Sequence, residues 1–241
     1  MPKKGEIDYI ANMARLLELP REQVMRSLNM KPYNAPRRAF YLIDIGQLFR
    51  FLPEPPARLL DLGCGSGWTS KMFACSGYEV LGIDLCPDMI EAATTESAPP
   101  NLKFAVHDYE DSLDFGQFDC AVIYDALHHA VSVDAVIRNV YGCLRKGGMF
   151  ITAEPGAGHS TSPLTIEEAK RWGTTERDMP FTLQRDTMLK IGFREVRQYL
   201  RLSEVPLVSI DDKARLQSDN FAAVMYHTTK CGFTSIVVGT K

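Results

Sequence analysis

The sequence reads LLDLGCGSGW from Leu59 to Trp68, and this stretch decides the fold. Its apolar half predicts a short buried strand, and its three glycines at alternate positions predict a tight turn before a helix over 68–76. Glycine is required where the backbone adopts a positive φ or closely approaches a ligand. A strand, a glycine turn and a helix N-terminus in this order form a binding edge for nucleotide-like ligands.

A second strand strengthens this interpretation. The apolar run that starts at Val80 ends in a carboxylate, Asp84, which lies 19 residues after Gly65. At that spacing an acidic side chain can accept hydrogen bonds from both hydroxyls of a ribose. The two segments together predict binding of an adenosine-containing cofactor.

The details of the turn distinguish between such cofactors. Dinucleotide sites carry G-x-G-x-x-G, because the pyrophosphate lies on the helix N-terminus. Here Trp68 stands at the third glycine position, and Asp61 precedes the first glycine by two residues. A carboxylate there is unfavourable for a pyrophosphate but suits the cationic S-adenosylmethionine (SAM), which has no phosphate. The turn therefore favours SAM over a dinucleotide.

The glycine turn resembles motif I of the class I SAM-dependent methyltransferases, and the resemblance extends over residues 57–155. It implies that Asp84 binds the ribose, that Leu85 and Met89 pack on the adenine, and that Asp108 meets the adenine amino group. Two positions depart from the family pattern, Cys86 for serine and Lys146 for proline. The full set of cofactor-binding residues that the resemblance implies is Asp61, Gly63, Cys64, Gly65, Gly67, Trp68, Asp84, Leu85, Met89, Asp108, Tyr109, Asp125 and Ala126.

Alternating strand and helix patterns from residue 57 onward predict an α/β fold with helices on both faces of the sheet. The expected strands are 57–62, 79–83, 102–107, 118–124, 147–153, 193–200 and 233–239. The last of these should be antiparallel, completing the seven-stranded Rossmann-like methyltransferase sheet that the resemblance implies. Amphipathic segments before Pro53 predict an N-terminal helical cap over 1–52, followed by a core over 53–241 with a substrate-side insertion at about 201–232.

Composition limits the partners and the compartment. The 241 residues carry a net charge of −3, which disfavours a nucleic acid partner. No apolar run is long enough to span a bilayer, and the six cysteines form no C-x-x-C pair. We therefore expect a cytoplasmic protein acting on a small molecule, and the sequence is compatible with a homodimer.

The candidate catalytic residues are three histidines and a glutamate at the expected carboxyl ends of the strands, namely His128, His129, His159 and Glu154. If a hydroxyl is the acceptor, a base must remove its proton, and imidazole suits this task near neutral pH. Histidines at 128 and 129 are also common in the family whatever the acceptor, so a role in shaping the loop stays open. No metal is expected, because Glu154-Pro155 lacks the Asp-Asn pair of a catechol-type site.

These observations predict methyl transfer from SAM to a small acceptor, with S-adenosylhomocysteine as product. Oxygen is the preferred acceptor atom because histidines and a glutamate crowd the expected site. The segments EPGAGHS (154–160) and TERDMP (175–180) are loosely similar to methyltransferases found with polysaccharide assembly enzymes, which suggests a sugar or glycolipid hydroxyl. The alternatives are a natural-product N- or O-methyltransferase, a non-catalytic SAM-binding protein and a nicotinamide oxidoreductase.

Overall fold

A seven-stranded sheet organises the protein. The computed structural model describes residues 3–95, 97–205 and 235–241. The strands are β1 (Arg58–Leu62), β2 (Glu79–Asp84), β3 (Leu102–Val106), β4 (Phe118–Tyr124), β5 (Leu144–Glu154), β6 (Glu195–Leu200) and β7 (Ser235–Thr240). The helices are α1 (Lys4–Ile7), α2 (Tyr9–Leu17), α3 (Arg21–Asn29), α4 (Arg38–Phe49), α5 (Trp68–Cys75), α6 (Pro87–Thr94), α7 (Val133–Cys143), α8 (Pro163–Trp172) and α9 (Phe181–Ile191).

The strand order is β3-β2-β1-β4-β5-β7-β6. The first five strands are parallel, and β7 pairs antiparallel with both β5 and β6. The expected α/β class with a seven-stranded Rossmann-like sheet is confirmed. The last strand lies inside the sheet between β5 and β6, and the sheet order reverses between β1 and β4.

Alternation along the strands produces two apolar layers. Leu60 and Leu62 of β1 pack with residues of α7 and α9 on one face, whereas Leu59 packs with α4 and α5 on the other. Because successive strand residues point to opposite faces, an uninterrupted apolar run supplies both layers at once. Helices therefore cover both faces, as a parallel sheet requires.

The N-terminal helices lie over the carboxyl edge of the parallel strands. Ile10 and Val24 form a small apolar cluster with Ala92 of α6. Gly5 contacts Gly173 so closely that an added Cβ would lie 1.8 Å from the Gly173 carbonyl oxygen. Helix α4 instead packs on one face of the sheet, in the apolar layer that contains Leu59. The expected boundary at residue 52 stays a prediction, and most of the expected insertion at 201–232 lies outside the described residues.

Within the described part of the chain, no helix combines the length and the apolar character needed to cross a membrane. The described cysteines, which are Cys64, Cys75, Cys86, Cys120 and Cys143, all carry free thiols.

Candidate functional site

A cavity of about 550 Å³ lies between the carboxyl edge of the sheet and the N-terminal helices. Open α/β sheets bind ligands at this edge, next to the strands where the order reverses. Among the expected cofactor residues, eight line the cavity: Gly63, Asp84, Leu85, Met89, Asp108, Tyr109, Asp125 and Ala126. The parallel strands thus bring together residues that lie far apart in sequence.

The glycine turn after β1 serves two different purposes. Gly63 has a φ of +68°, and an added Cβ would lie 2.5 Å from the Cβ of Ala126, so glycine alone lets the two loops meet in the cavity wall. Gly67 has a φ of +77° and faces the Phe104 ring, which an added Cβ would approach to 2.5 Å. Gly67 therefore allows close packing of the turn on β3, away from the cavity.

Asp84 ends β2 with its carboxylate fixed in the cavity wall. It accepts hydrogen bonds from the backbone N–H of Gly65 at 2.8 Å and of Cys86 at 2.9 Å. Burial raises the pKa of this carboxyl despite these two bonds. The two contacts fix the orientation of the carboxylate at the cavity wall, and its role in ribose binding stays a prediction.

The loop after β3 is tied to the N-terminus. Lys3 donates to Asp108 at 2.5 Å and lies 2.6 Å from a carboxylate oxygen of Glu110. Burial alone would lower the pKa of Lys3, but its bonds to the two carboxylates outweigh this and raise it. Tyr109 donates its hydroxyl proton to the Ala126 carbonyl at 2.9 Å. Sequence reasoning missed Lys3, which no motif marks.

Asp125, directly after β4, adopts a φ of +47°, which is rare for a residue other than glycine. Arg201 donates to its carboxylate at 3.2 Å and to the buried Asp44 at 2.7 Å. The Tyr124 hydroxyl also donates to Asp44, at 2.7 Å. Burial would raise the pKa of Asp125, but the Arg201 charge outweighs it and lowers the pKa. This network joins α4, β4 and the segment after β6, and no sequence pattern connects Asp44 with Arg201.

Glu154 at the end of β5 orients the loop that carries two candidate histidines. Its carboxylate accepts from the backbone N–H groups of Ala126 and Leu127 at 3.0 and 2.8 Å. Nδ1 of His128 lies 2.7 Å from the same carboxylate. Glu154 is 1% exposed and does not line the cavity. Because these donors already occupy its oxygens, Glu154 orients His128 and the loop, and the catalytic role expected for it stays a prediction.

The three candidate histidines converge around a carboxylate that sequence reasoning did not select. Glu176 lies 3.6 Å from Nε2 of His128, 3.7 Å from Nδ1 of His129 and 2.9 Å from Nε2 of His159. All four residues line the cavity. The only sequence signal for Glu176 is its place in the TERDMP segment, which resembles other methyltransferases. Its approach to the histidines depends on the fold, because Glu176 is 47 residues beyond His129.

The two adjacent histidines differ in their ionisation. Burial would lower the pKa of His128, but the hydrogen bond and charge of Glu154 outweigh it and raise the pKa. Burial lowers the pKa of His129, and the neighbouring His128 adds to this effect. The turn therefore holds an imidazole with a raised pKa beside one with a lowered pKa.

Five expected cofactor contacts do not line the cavity: Asp61, Cys64, Gly65, Gly67 and Trp68. Asp61 is buried beneath the turn, where it accepts hydrogen bonds from Thr69 and Ser70, both at 2.6 Å. Its carboxylate holds the start of α5 on β1 and has no direct path to a ligand. Trp68 is also buried, between the rings of Tyr41 and Tyr124.

Replacing Asp61 by asparagine should remove a pH dependence of stability. Burial raises the Asp61 pKa from 3.8 to about 6, so its contribution to stability is complete below about pH 4 and is lost as the pH rises through 6. An asparagine amide does not ionise, so the unfolding free energy of Asp61→Asn relative to the wild type should increase by about 2–3 kcal/mol from pH 4 to 7. Urea unfolding across this range, with exposed Asp111→Asn as control, measures it. A difference independent of pH would contradict this role.

Lys31 also lines the cavity, although the sequence motifs assign no role to it. Its ammonium lies 4.4 Å from the ring centre of Tyr41 and 5.2 Å from that of Trp68. Within the described residues no carboxylate lies in hydrogen-bonding distance, and burial lowers the Lys31 pKa. A desolvated cation beside the glycine turn is suited to a ligand anion.

Comparison with known proteins agrees with this geometry. Residues 60–152 match the family model described as a methyltransferase domain. Over 98 residues the chain is 34% identical to a ubiquinone biosynthesis O-methyltransferase of Xanthomonas campestris, covering 39% of this chain and 41% of that relative. The match thus spans about two fifths of the relative's length.

Solved structures share the fold. A SAM-dependent methyltransferase from Mesorhizobium loti superimposes with a TM-score of 0.62 at 19% identity, over 83% of this chain and 98% of that one. A Haemonchus contortus phosphoethanolamine N-methyltransferase, solved with SAM, gives 0.64 at 15% identity over 96% and 59% of the two chains. The family match shows that residues 60–152 form a methyltransferase domain, and the solved structures show that the chain has the fold of SAM-dependent methyltransferases.

Proposed function

We propose that this chain transfers the methyl group of SAM to a hydroxyl of a small, polar acceptor. The observation that carries the proposal is that Asp84, the Gly63 turn and the histidine cluster line one and the same cavity. Methyl transfer requires a nucleophile held in line with the methyl carbon, at a separation of about 3 Å. In this proposal the cofactor lies beside Asp84, the acceptor lies beside the histidine cluster, and the two meet near Asp125 and His128.

In this proposal Asp84 accepts the ribose hydroxyls, and Asp108 binds the adenine amino group. The amino-acid end of SAM lies along Gly63 toward Asp125. Lys31 pairs with the α-carboxylate, because its ammonium is desolvated beside the same turn and faces the rings of Tyr41 and Trp68. Lys3 already donates to Asp108, so it competes with the adenine amino group for this carboxylate.

The acceptor side is polar. It is lined by His129, His159, Thr174 and Glu176, with Trp172 as an aromatic wall. Hydroxyl-rich molecules match such a lining because each side chain can donate or accept a hydrogen bond. This supports a sugar-like hydroxyl acceptor over an apolar one. An amine acceptor is the second candidate, since Glu176 and Glu168 could bind a cation there.

Free thiols among the described cysteines support a cytoplasmic setting.

The cofactor arrangement predicts two separable losses of affinity. Lys31→Met should weaken SAM and S-adenosylhomocysteine by roughly 10- to 100-fold, the value of a hydrogen bond to a charged group, but leave methylthioadenosine unchanged because it lacks the carboxylate. Asp84→Asn should weaken all three ligands, since they share the ribose. Calorimetric titration of wild type and variants with the three ligands, and with NAD, measures both effects.

The controls distinguish an error in the proposed position of SAM from an error in the proposed class of enzyme. Lys103→Met, an exposed position on β3 outside the cavity, should match the wild type. If Lys31→Met lost as much affinity for methylthioadenosine as for SAM, Lys31 would not be the residue that binds the α-carboxylate. Binding of NAD without the adenosyl compounds would overturn the proposed class. If SAM binds, a panel of sugar, phenol and amine acceptors, followed by release of S-adenosylhomocysteine, tests the acceptor. Transfer to amines alone would overturn the hydroxyl assignment.

A further inference from the structure

We propose that His128, His129 and Glu176 bind a divalent transition-metal ion, with Zn²⁺ as the best match, and that this ion contacts the acceptor hydroxyl. The inference rests on the proposed function for its chemistry but not for the binding itself. It departs from the sequence expectation of no metal, because that expectation considered only residues near the ends of β4 and β5. The carboxylate that completes the set lies on the segment between α8 and α9.

The geometry of the three side chains suits a small ion. One ring nitrogen of each histidine and a carboxylate oxygen of Glu176 all lie within 4.8 Å of one another. The carboxylate lies 3.6 Å from Nε2 of His128 and 3.7 Å from Nδ1 of His129. A tetrahedral ion with bonds of about 2.0–2.1 Å separates its ligand atoms by roughly 3.3 Å. No pair of ligand atoms therefore has to close by more than about 1.5 Å, a distance that rotation of the side chains covers.

The surrounding residues hold these ligands in the manner of a metal centre. Glu154 binds Nδ1 of His128 and leaves Nε2 to face Glu176, an arrangement that orients metal-binding imidazoles. Thr174 donates to Glu176 at 2.9 Å. The Thr175 carbonyl lies 2.6 Å from Nδ1 of His129. Coordination through Nε2 of His129 would retain that hydrogen bond, and coordination through Nδ1 would exchange it for the ion.

Two histidines and one carboxylate leave a coordination position open, as in catalytic zinc sites. Because its ligands line the cavity, that position would be open to an acceptor. An ion held there would lower the pKa of the bound acceptor hydroxyl, so that its O–H bond would break and the proton would pass to His159 and then to solvent. The oxygen attacks the methyl carbon, and the C–S bond breaks with its electron pair left on sulfur. The products are the methyl ether, S-adenosylhomocysteine and one proton.

Titration with Co²⁺, followed by its visible d–d absorption, tests binding without any acceptor or SAM. We expect one equivalent to bind the wild-type protein after treatment with a chelator, and Zn²⁺ to displace it. Glu176→Gln and His129→Gln should each weaken binding by about 10-fold or more. The matched controls are His107→Gln and Glu167→Gln, which change a histidine and a glutamate outside the cavity and should bind as the wild type does.

The outcomes separate this inference from the proposed function. Absence of a stoichiometric Co²⁺ spectrum, or a spectrum that Glu176→Gln leaves unchanged, would overturn the metal site. Retained S-adenosylhomocysteine affinity in the variants shows that they fold. Methyl transfer that persists at full rate with chelator would overturn the role of the ion while leaving the proposed function intact. Tight metal binding without methyl transfer to any acceptor would overturn the proposed function but support the metal site.

Discussion

Replacing Arg201 by methionine is expected to destabilise the protein by about 3–5 kcal/mol, because it leaves a buried carboxylate without its cation. Asp44 is 1% exposed and receives two hydrogen bonds from this guanidinium. The Tyr124 hydroxyl also donates to this carboxylate, but among the described residues its other oxygen has no hydrogen-bond partner. Urea unfolding of Arg201→Met against the wild type measures the effect.

An exposed arginine on the preceding strand provides the control. Arg197 pairs with Glu195 at 2.5 Å but both side chains are more than half exposed, so Arg197→Met should cost less than about 1 kcal/mol. The double change Asp44→Leu with Arg201→Met should recover part of the stability, because no buried charge remains at Asp44. Equal, small losses for Arg197→Met and Arg201→Met would show that the network does not anchor α4.

Replacing His129 by alanine is expected to reduce turnover by about 100-fold or more, within the range for loss of a positioned proton-transfer group. Turnover should also fall if the His129 ring binds the proposed metal ion. His129 lines the acceptor side of the cavity, and the expected cofactor contacts lie on other residues. SAM affinity should therefore stay nearly unchanged. Release of S-adenosylhomocysteine with the acceptor found by screening, together with the dissociation constant of SAM, measures both quantities.

His107→Ala is the matched variant, since His107 follows β3 outside the cavity and contacts Phe115. Its turnover should equal that of the wild type. Unchanged turnover in His129→Ala would remove this residue from the mechanism. A parallel loss of SAM affinity and thermal stability would assign it a role in shaping the loop, the alternative that the sequence left open.

Much of the core could be predicted because its signals are local. The apolar run before Gly63 predicts β1, the glycines predict the turn, and the spacing to Asp84 places a carboxylate at the neighbouring strand end. These features depend on backbone sterics and on period-two burial, both of which are written in consecutive residues. The family match over residues 60–152 covers the same part of the chain.

The direction of individual side chains was harder to predict. Asp61 lies within β1 and Asp84 ends β2, and the sequence predicts that both bind the cofactor. A side chain on a strand points to one face or the other, whereas one at the strand end can reach the edge. Asp61 therefore bonds Thr69 and Ser70 beneath the turn, while Asp84 lines the cavity.

The sequence by itself determined the sheet, the glycine turn and the carboxylate at the end of β2, because each follows from residues close together in the chain. Only the tertiary structure brought Glu176 to the three histidines, Arg201 to Asp44 and Lys31 to Trp68. These contacts join segments separated by many residues, and nothing in the local pattern encodes which distant partner a charged side chain meets. They form only when packing excludes water and makes an unpaired buried charge costly.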